Sequence, residues 1–155
     1  MKQTWRKVFE TRIAATAEEL WSFHASAEAL KVLTPPGRKL VPISTDLRVE
    51  NGLLHVMGFR QFGLPMVWKA RISEVDPPFG FVDTAEQSPF AFWQHRHSFI
   101  RDGEGSILRD EIEYAPPGGP LAGLINRLMV SNDLDCLFAF RHSVTKQELE
   151  SKSHS

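Results

Sequence analysis

A single break, Pro116-Pro117-Gly118-Gly119-Pro120, divides this chain into two unlike parts. Before it stand short runs of alternating polarity punctuated by turn residues; after it stands one helical pattern. Trp5 to Ile13 alternates Trp5, Lys7 and Phe9 against Arg6, Val8 and Glu10, which predicts a first strand. Thr16-Ala17-Glu18-Glu19 spells a capping box for a helix carrying Leu20, Trp21 and Phe23. A second short helix is expected from Ser26 until before Thr34-Pro35-Pro36-Gly37. Strand-like runs follow at about 39–46, 53–62, 65–75, 79–86, 91–101 and 105–115, most set apart by turn residues such as Asn51-Gly52, Asp76-Pro77-Pro78 and Asp102-Gly103. Pro42 puts the first of these at a sheet edge or a bend.

Pro120 suits a first helical turn, so a long helix is expected from Leu121 to about Leu149. Leu121, Leu124, Ile125, Leu128, Leu134, Leu137, Phe138 and Phe140 would form its one buried stripe. The chain from about Lys146 is expected to fray, with residues 151–155 as a flexible tail. Hairpin-linked strands make an antiparallel sheet. Only the long helix is large enough to cover its apolar face. The expected class is therefore α+β: a curved seven-stranded antiparallel sheet around a long C-terminal helix, with two short helices after the first strand.

Composition narrows the function. A chain of 155 residues is expected to be one domain, placed at 1–150, and folding hides roughly 68–70% of its extended surface. Eighteen Lys and Arg against 19 Asp and Glu argue against a nucleic-acid footprint or a polybasic membrane surface. The lone Cys136 excludes an internal disulfide and any multi-cysteine metal site, and mid-helix it reads as an inert core thiol. Met1 to Glu10 lacks the apolar stretch of a secretory signal, and Leu121 to Val130 is too short to span a bilayer. A cytoplasmic location is the expectation. The large rings, 11 Phe and 4 Trp against one Tyr, suit either a wide interior or a dense core.

The hairpin 91–115 carries the chemistry. With Gly103-Glu104 at its tip, Phe99 faces Leu108, His97 faces Asp110, His95 faces Ile112 and Trp93 faces Tyr114. Arg96 and Glu111 oppose each other on the other face as a favourable charge pair. A turn at Gln87 to Phe90 then sets Asp83 opposite His95 and Phe81 opposite His97. Trp68 shares the buried-looking face of its own strand with Met66, Ala70 and Ile72. One sheet face thus gathers two imidazoles and one or two carboxylates among rings, and each buried polar group needs a partner. The partner is another member of the cluster, water or a ligand. Two histidines at i and i+2 lie about 6.5–7 Å apart by strand rise, which also occurs in metal sites; no metal is assigned. His24 and His55 receive no role. No Gly-x-Ser-x-Gly, Gly-x-Gly-x-x-Gly or P-loop spelling occurs, so no nucleotide cofactor is expected.

Leu33-Thr34-Pro35-Pro36, Pro65-x-x-Trp68-x-x-x-Ile72, Pro77-Pro78-x-x-Phe81-x-Asp83, Ser88-Pro89-Phe90, Trp93-x-His95-x-His97-x-Phe99, Asp110-x-Ile112-x-Tyr114-x-x-Pro117 and Phe138-x-x-Arg141 follow one another in that order. Over about residues 5–145 the chain resembles the SRPBCC superfamily (START-like, polyketide cyclase/dehydrase-like), in its branch of small cytosolic ligand-binding domains. Some of those domains are joined to nucleoside-sugar epimerase-like domains, so an epimerase-like partner domain or protein is implied; the oligomeric state is not. Ser88 stands where that branch has glycine before Pro-Phe. The resemblance implies the helix-grip fold with a deep hydrophobic cavity and supplies no established catalytic residue.

The leading expectation is a domain that binds a hydrophobic or aromatic small molecule (lipid, isoprenoid or polyketide-like) between sheet and C-terminal helix. The expected ligand-binding residues are Trp68, Phe81, Asp83, Trp93, His95, His97, Phe99, Asp110, Tyr114, Phe138 and Arg141. One alternative is a cyclase, dehydratase or hydrolase in which His97 paired with Asp110, and His95 beside them, supply acid and base. The other is an interaction module with a filled core.

Overall fold

The computed structural model describes residues 2–61 and 63–152. Strand β1 (Trp5–Ile13) leads into α1 (Ala17–His24) and α2 (Ala27–Val32). Six strands follow: β2 (Leu40–Pro42), β3 (Leu54–Gln61), β4 (Leu64–Asp76), β5 (Gly80–Gln87), β6 (Phe92–Asp102) and β7 (Gly105–Ala115). The last helical region comprises a 3₁₀ turn (Gly119–Leu121), α3 (Ala122–Ile125), a π-helical stretch (Asn126–Val130) and α4 (Ser131–Lys152). The strands form one antiparallel sheet in the order β1-β7-β6-β5-β4-β3-β2, and with α4 they make the helix-grip arrangement.

Local chemistry accounts for the elements. The Thr16 hydroxyl accepts from Glu19 N at 3.1 Å while the Glu19 carboxylate accepts from Thr16 N at 2.7 Å, the reciprocal bonds of a capping box. Ser26 caps α2 by accepting from Ala29 N. Gly80 has φ 149°, and a Cβ there would lie 2.1 Å from the His97 carbonyl oxygen, so only glycine lets β5 begin this close to β6. At Ser88, in place of glycine, the hydroxyl both accepts from Phe90 N (3.1 Å) and donates to Phe90 O (3.4 Å), closing the turn with its own side chain.

Four expectations are corrected. The run at 39–46 yields only three strand residues, Leu40–Pro42, and Phe62 of the next run lies outside the described residues. Helix α4 continues past Lys146 to Lys152 instead of fraying, while residues 153–155 of the expected tail lie outside the described residues. Arg96 and Glu111 are opposed in register, yet Arg96 pairs with Glu74 and Glu111 with Arg6, because both outward carboxylates are within reach of a second strand's arginine. Most sharply, Leu121, Leu124 and Leu128 are 61%, 50% and 66% exposed and not part of the buried stripe.

The core has two apolar parts with a polar layer between them. Ile13, Leu20, Ile72, Phe81, Phe99, Leu108 and Leu149 pack at one end. Trp93, Ile112, Tyr114, Leu134 and Phe138 pack at the other. Strand alternation sets the boundary: along β6 the inward residues read Trp93, His95, His97, Phe99, and along β7 Tyr114, Ile112, Asp110, Leu108. Helix α4 repeats the order with Phe138, His142 and Leu149, all buried.

Candidate functional site

The polar layer is a chain of imidazoles and carboxylates. The predicted register holds at every position: His97 opposes Asp110, and Asp83 opposes His95. The short hydrogen bonds, however, run diagonally. His95 Nε2 donates to Asp110 Oδ1 at 2.7 Å, and His97 Nε2 donates to Asp83 Oδ2 at 2.8 Å. The directly opposed pairs stand farther off, His97 Nδ1–Asp110 Oδ1 and His95 Nδ1–Asp83 Oδ2 both at 3.5 Å. The expected His97–Asp110 hydrogen bond is therefore replaced by His97–Asp83. The rings are packed closely here: the His95 and His97 rings lie 3.7 Å apart, tilted by 31°, and Phe81 stacks on His97 at 4.1 Å.

Sequence reasoning missed His142. Its Nε2 donates to Asp110 Oδ2 at 2.6 Å, and its Nδ1 is bonded to Thr11 Oγ1 at 2.8 Å. Asp110 thus joins strand to helix with both oxygens occupied. The signal was present, since His142 lies four residues after Phe138 on the same helical face. His24, also left without a role, lines the cavity and donates from Nδ1 to Leu20 O at 2.9 Å.

Burial and charge pull these groups in opposite directions. For Asp83, burial raises the carboxyl, but the His97 hydrogen bond and the nearby His95, His97 and Arg141 charges outweigh it and leave it lowered. Burial likewise opposes Asp110, yet His95 and His142 hold it well below the usual carboxylate range. Burial, then the neighbouring His95, pushes the His97 imidazole down despite Asp83, favouring its neutral form. His97 Nδ1 is buried and has no hydrogen-bond partner. A neutral imidazole bonded to a carboxylate can orient a polar ligand group or pass a proton. Potential ligand atoms of Asp83, His95 and His97 also fall within 4.8 Å of one another, a two-histidine, one-carboxylate set; in the structure they meet as hydrogen-bonded or ion-paired neighbours.

This layer opens on a cavity of about 790 Å³ between α2, the β3–β6 face and α4. That is within the roughly 300–1,000 Å³ common for ligand pockets. Of the expected site residues, Trp68, Phe81, Asp83, Trp93, His95, His97 and Arg141 line it. Phe99, Asp110, Tyr114 and Phe138 do not; they are buried behind the wall, Asp110 holding His95 and Tyr114 donating to Asn126 Oδ1 at 2.8 Å. Cys136, expected in the core, is exposed and borders the cavity, because its helix position points away from the buried stripe. Leu30, Leu33, Met57, Phe59 and Leu137 complete much of the apolar lining.

The family model for polyketide cyclase/dehydrase and lipid transport matches residues 13–138. No curated protein matches the chain. Among solved structures, norcoclaurine synthase of Thalictrum flavum, in complex with dopamine and hydroxybenzaldehyde, is similar at a TM-score of 0.66 and 17% identity, over 93% of this chain and 87% of that one. The di-domain ARO/CYC StfQ of the steffimycin biosynthetic pathway superposes at a TM-score of 0.77 with 15% identity, over 98% of this chain and 52% of that one. A nucleoside-diphosphate sugar epimerase from Corynebacterium glutamicum matches at 0.70 with 22% identity, over 96% of this chain but only 30% of its own length. These likenesses establish the fold. Among the described residues no helix is long and apolar enough to cross a membrane.

Proposed function

The chain belongs to the polyketide cyclase/dehydrase and lipid transport family, and we propose that it binds a hydrophobic or aromatic small molecule between the sheet and α4. The observation that carries this reading is the cavity itself. About 790 Å³ is walled by Trp68, Trp93, Phe59 and Phe90 and by aliphatic side chains, with Asp83, His95 and His97 as a polar cluster on the sheet wall. Apolar contact supplies the affinity, and the few convergent polar groups orient the ligand. The family includes hydrophobic-ligand binders and cyclases, which is consistent with such a pocket. A likeness to 30% of an epimerase chain also supports service beside an epimerase-like domain.

A second reading is favoured by one observation: His97 is held toward neutrality, bonded to Asp83 and on the cavity wall. On this reading it is the general base or acid of a cyclase- or dehydratase-type reaction. One experiment serves both. Purified protein is screened by thermal shift against lipids, isoprenoids and aromatic polyketides, and every hit is recovered and weighed by mass spectrometry. At a hundredfold excess over Kd a hit contributes about 2.7 kcal/mol of stability. Hits recovered intact support binding alone. A hit chemically altered by wild type and left intact by His97→Ala supports the enzyme. No shift across the panel overturns the binding reading.

A further inference from the structure

The proposed ligand has a chemical class, and the clue is an arginine without a counterion. Arg6, Arg12, Arg38, Arg48, Arg71, Arg96, Arg101 and Arg109 each meet a carboxylate. Arg141 meets none. It projects from α4 into the cavity wall beside the polar layer. Its Nε is buried without a hydrogen-bond partner, and among the described residues its guanidinium forms no ion pair; the face of Phe138 lies 5.5 Å away. The two carboxylates that act on it electrostatically, Asp83 and Asp110, are engaged by His97, His95 and His142. A guanidinium stays charged at any ordinary pH and presents its donors in a planar fork suited to an oxyanion. Left unpaired in an apolar wall, it is costly.

The rest of the lining has the same sign. Arg38, Lys39, Arg60 and Arg141 border the cavity against only Asp83 and Asp133, although the chain as a whole carries a net charge of −1. Asp133 is already paired with Arg38 at 2.5 Å. Resting on the reading of the cavity as a ligand site, we propose that its ligand carries an acidic oxyanion group, of the carboxylate or sulfonate class, and that Arg141 is the residue that anchors it.

A matched pair of fluorescent probes tests this: 8-anilinonaphthalene-1-sulfonate and N-phenyl-1-naphthylamine share the ring skeleton and differ by the sulfonate. The expected result is at least tenfold tighter binding of the sulfonate by the wild-type chain. Arg141→Met should weaken the sulfonate tenfold or more and the amine less than twofold, and Arg141→Lys should retain part of the preference. Decanoate should displace the sulfonate probe and decanamide should not. Equal affinity of wild type for the two probes, or a preference that survives Arg141→Met in a variant with an unchanged melting curve, overturns the inference and leaves the cavity reading standing. Binding of neither probe, together with silence across the thermal-shift panel, overturns both. The wild-type comparison stands even if Arg141→Met does not fold.

Discussion

His24 shows how one side chain couples the cavity wall to stability. Burial lowers its pKa from 6.5 to about 4; Asp110 opposes the shift, and His97 and His142 reinforce it. Between these values the unfolded chain binds a proton that the folded chain refuses. The contribution is therefore complete above pH 6.5 and is lost as pH falls toward 4, by roughly 3 kcal/mol at most. The lowered His97 acts with the same sign. Urea unfolding should show the wild type weaker at pH 5 than at pH 7, and His24→Gln should lose less over that interval; parallel losses would remove His24 from the account. Nothing in its sequence neighbourhood marked this histidine, because Phe99, His97, Asp110 and His142 come to it from β6, β7 and α4, far along the chain. His95, His97, Asp83 and Asp110 were legible for the opposite reason. They sit on strands joined by short turns, where alternation plus turn position determines both face and partner. Alternation does not determine side-chain rotation, so the diagonal bonding was not legible.

Among the elements, the strand borders were readable wherever a turn residue closed them, and the long helix was not. A single 100° period carried from Leu121 to Leu149 assumes an unbroken α-helix. The π-helical stretch at Asn126–Val130 inserts an extra residue per turn and shifts the phase. Ahead of it Leu121 and Leu124 are exposed; within it Leu128 and Met129 are exposed, Met129 at the cavity border, while Asn126 turns inward to accept from Tyr114. Behind it the buried stripe resumes as Leu134, Phe138, His142, Thr145 and Leu149. The consequence is measurable by denaturation. Leu124→Ser and Leu128→Ser should each shift stability by about 0.5 kcal/mol or less, as surface changes do. Phe138→Ala, fully buried against Phe9 and the His95 ring, should cost about 3–5 kcal/mol. A Leu128→Ser cost approaching that of Phe138→Ala would mean that the outward face is covered in solution.

The two sides of the molecule are built differently, and that asymmetry decides where a ligand acts. Strands β1, β7 and β6 are long and backed by rings and by α4; β7 is bonded on both sides, and the edge strand β1 pairs with it along its whole length. At the other edge β2 has three residues, ends at Pro42 and pairs only with β3. The walls facing the cavity lack partner atoms on their inner side, so they forgo the dispersion contacts that a packed core supplies. Opening free energy should follow the same gradient. Amide exchange is expected to be slowest in β6 and β7 and fastest in residues 33–60. A bound ligand restores contacts only to the walls it touches. It should therefore slow exchange in residues 33–60 and around 129–141 while leaving β1 and β7 unchanged. Protection that instead spread evenly over all seven strands would report global stabilisation by a ligand bound elsewhere, and protection confined to the outer face of β1 and β7 would put the binding surface outside the grip of sheet and helix.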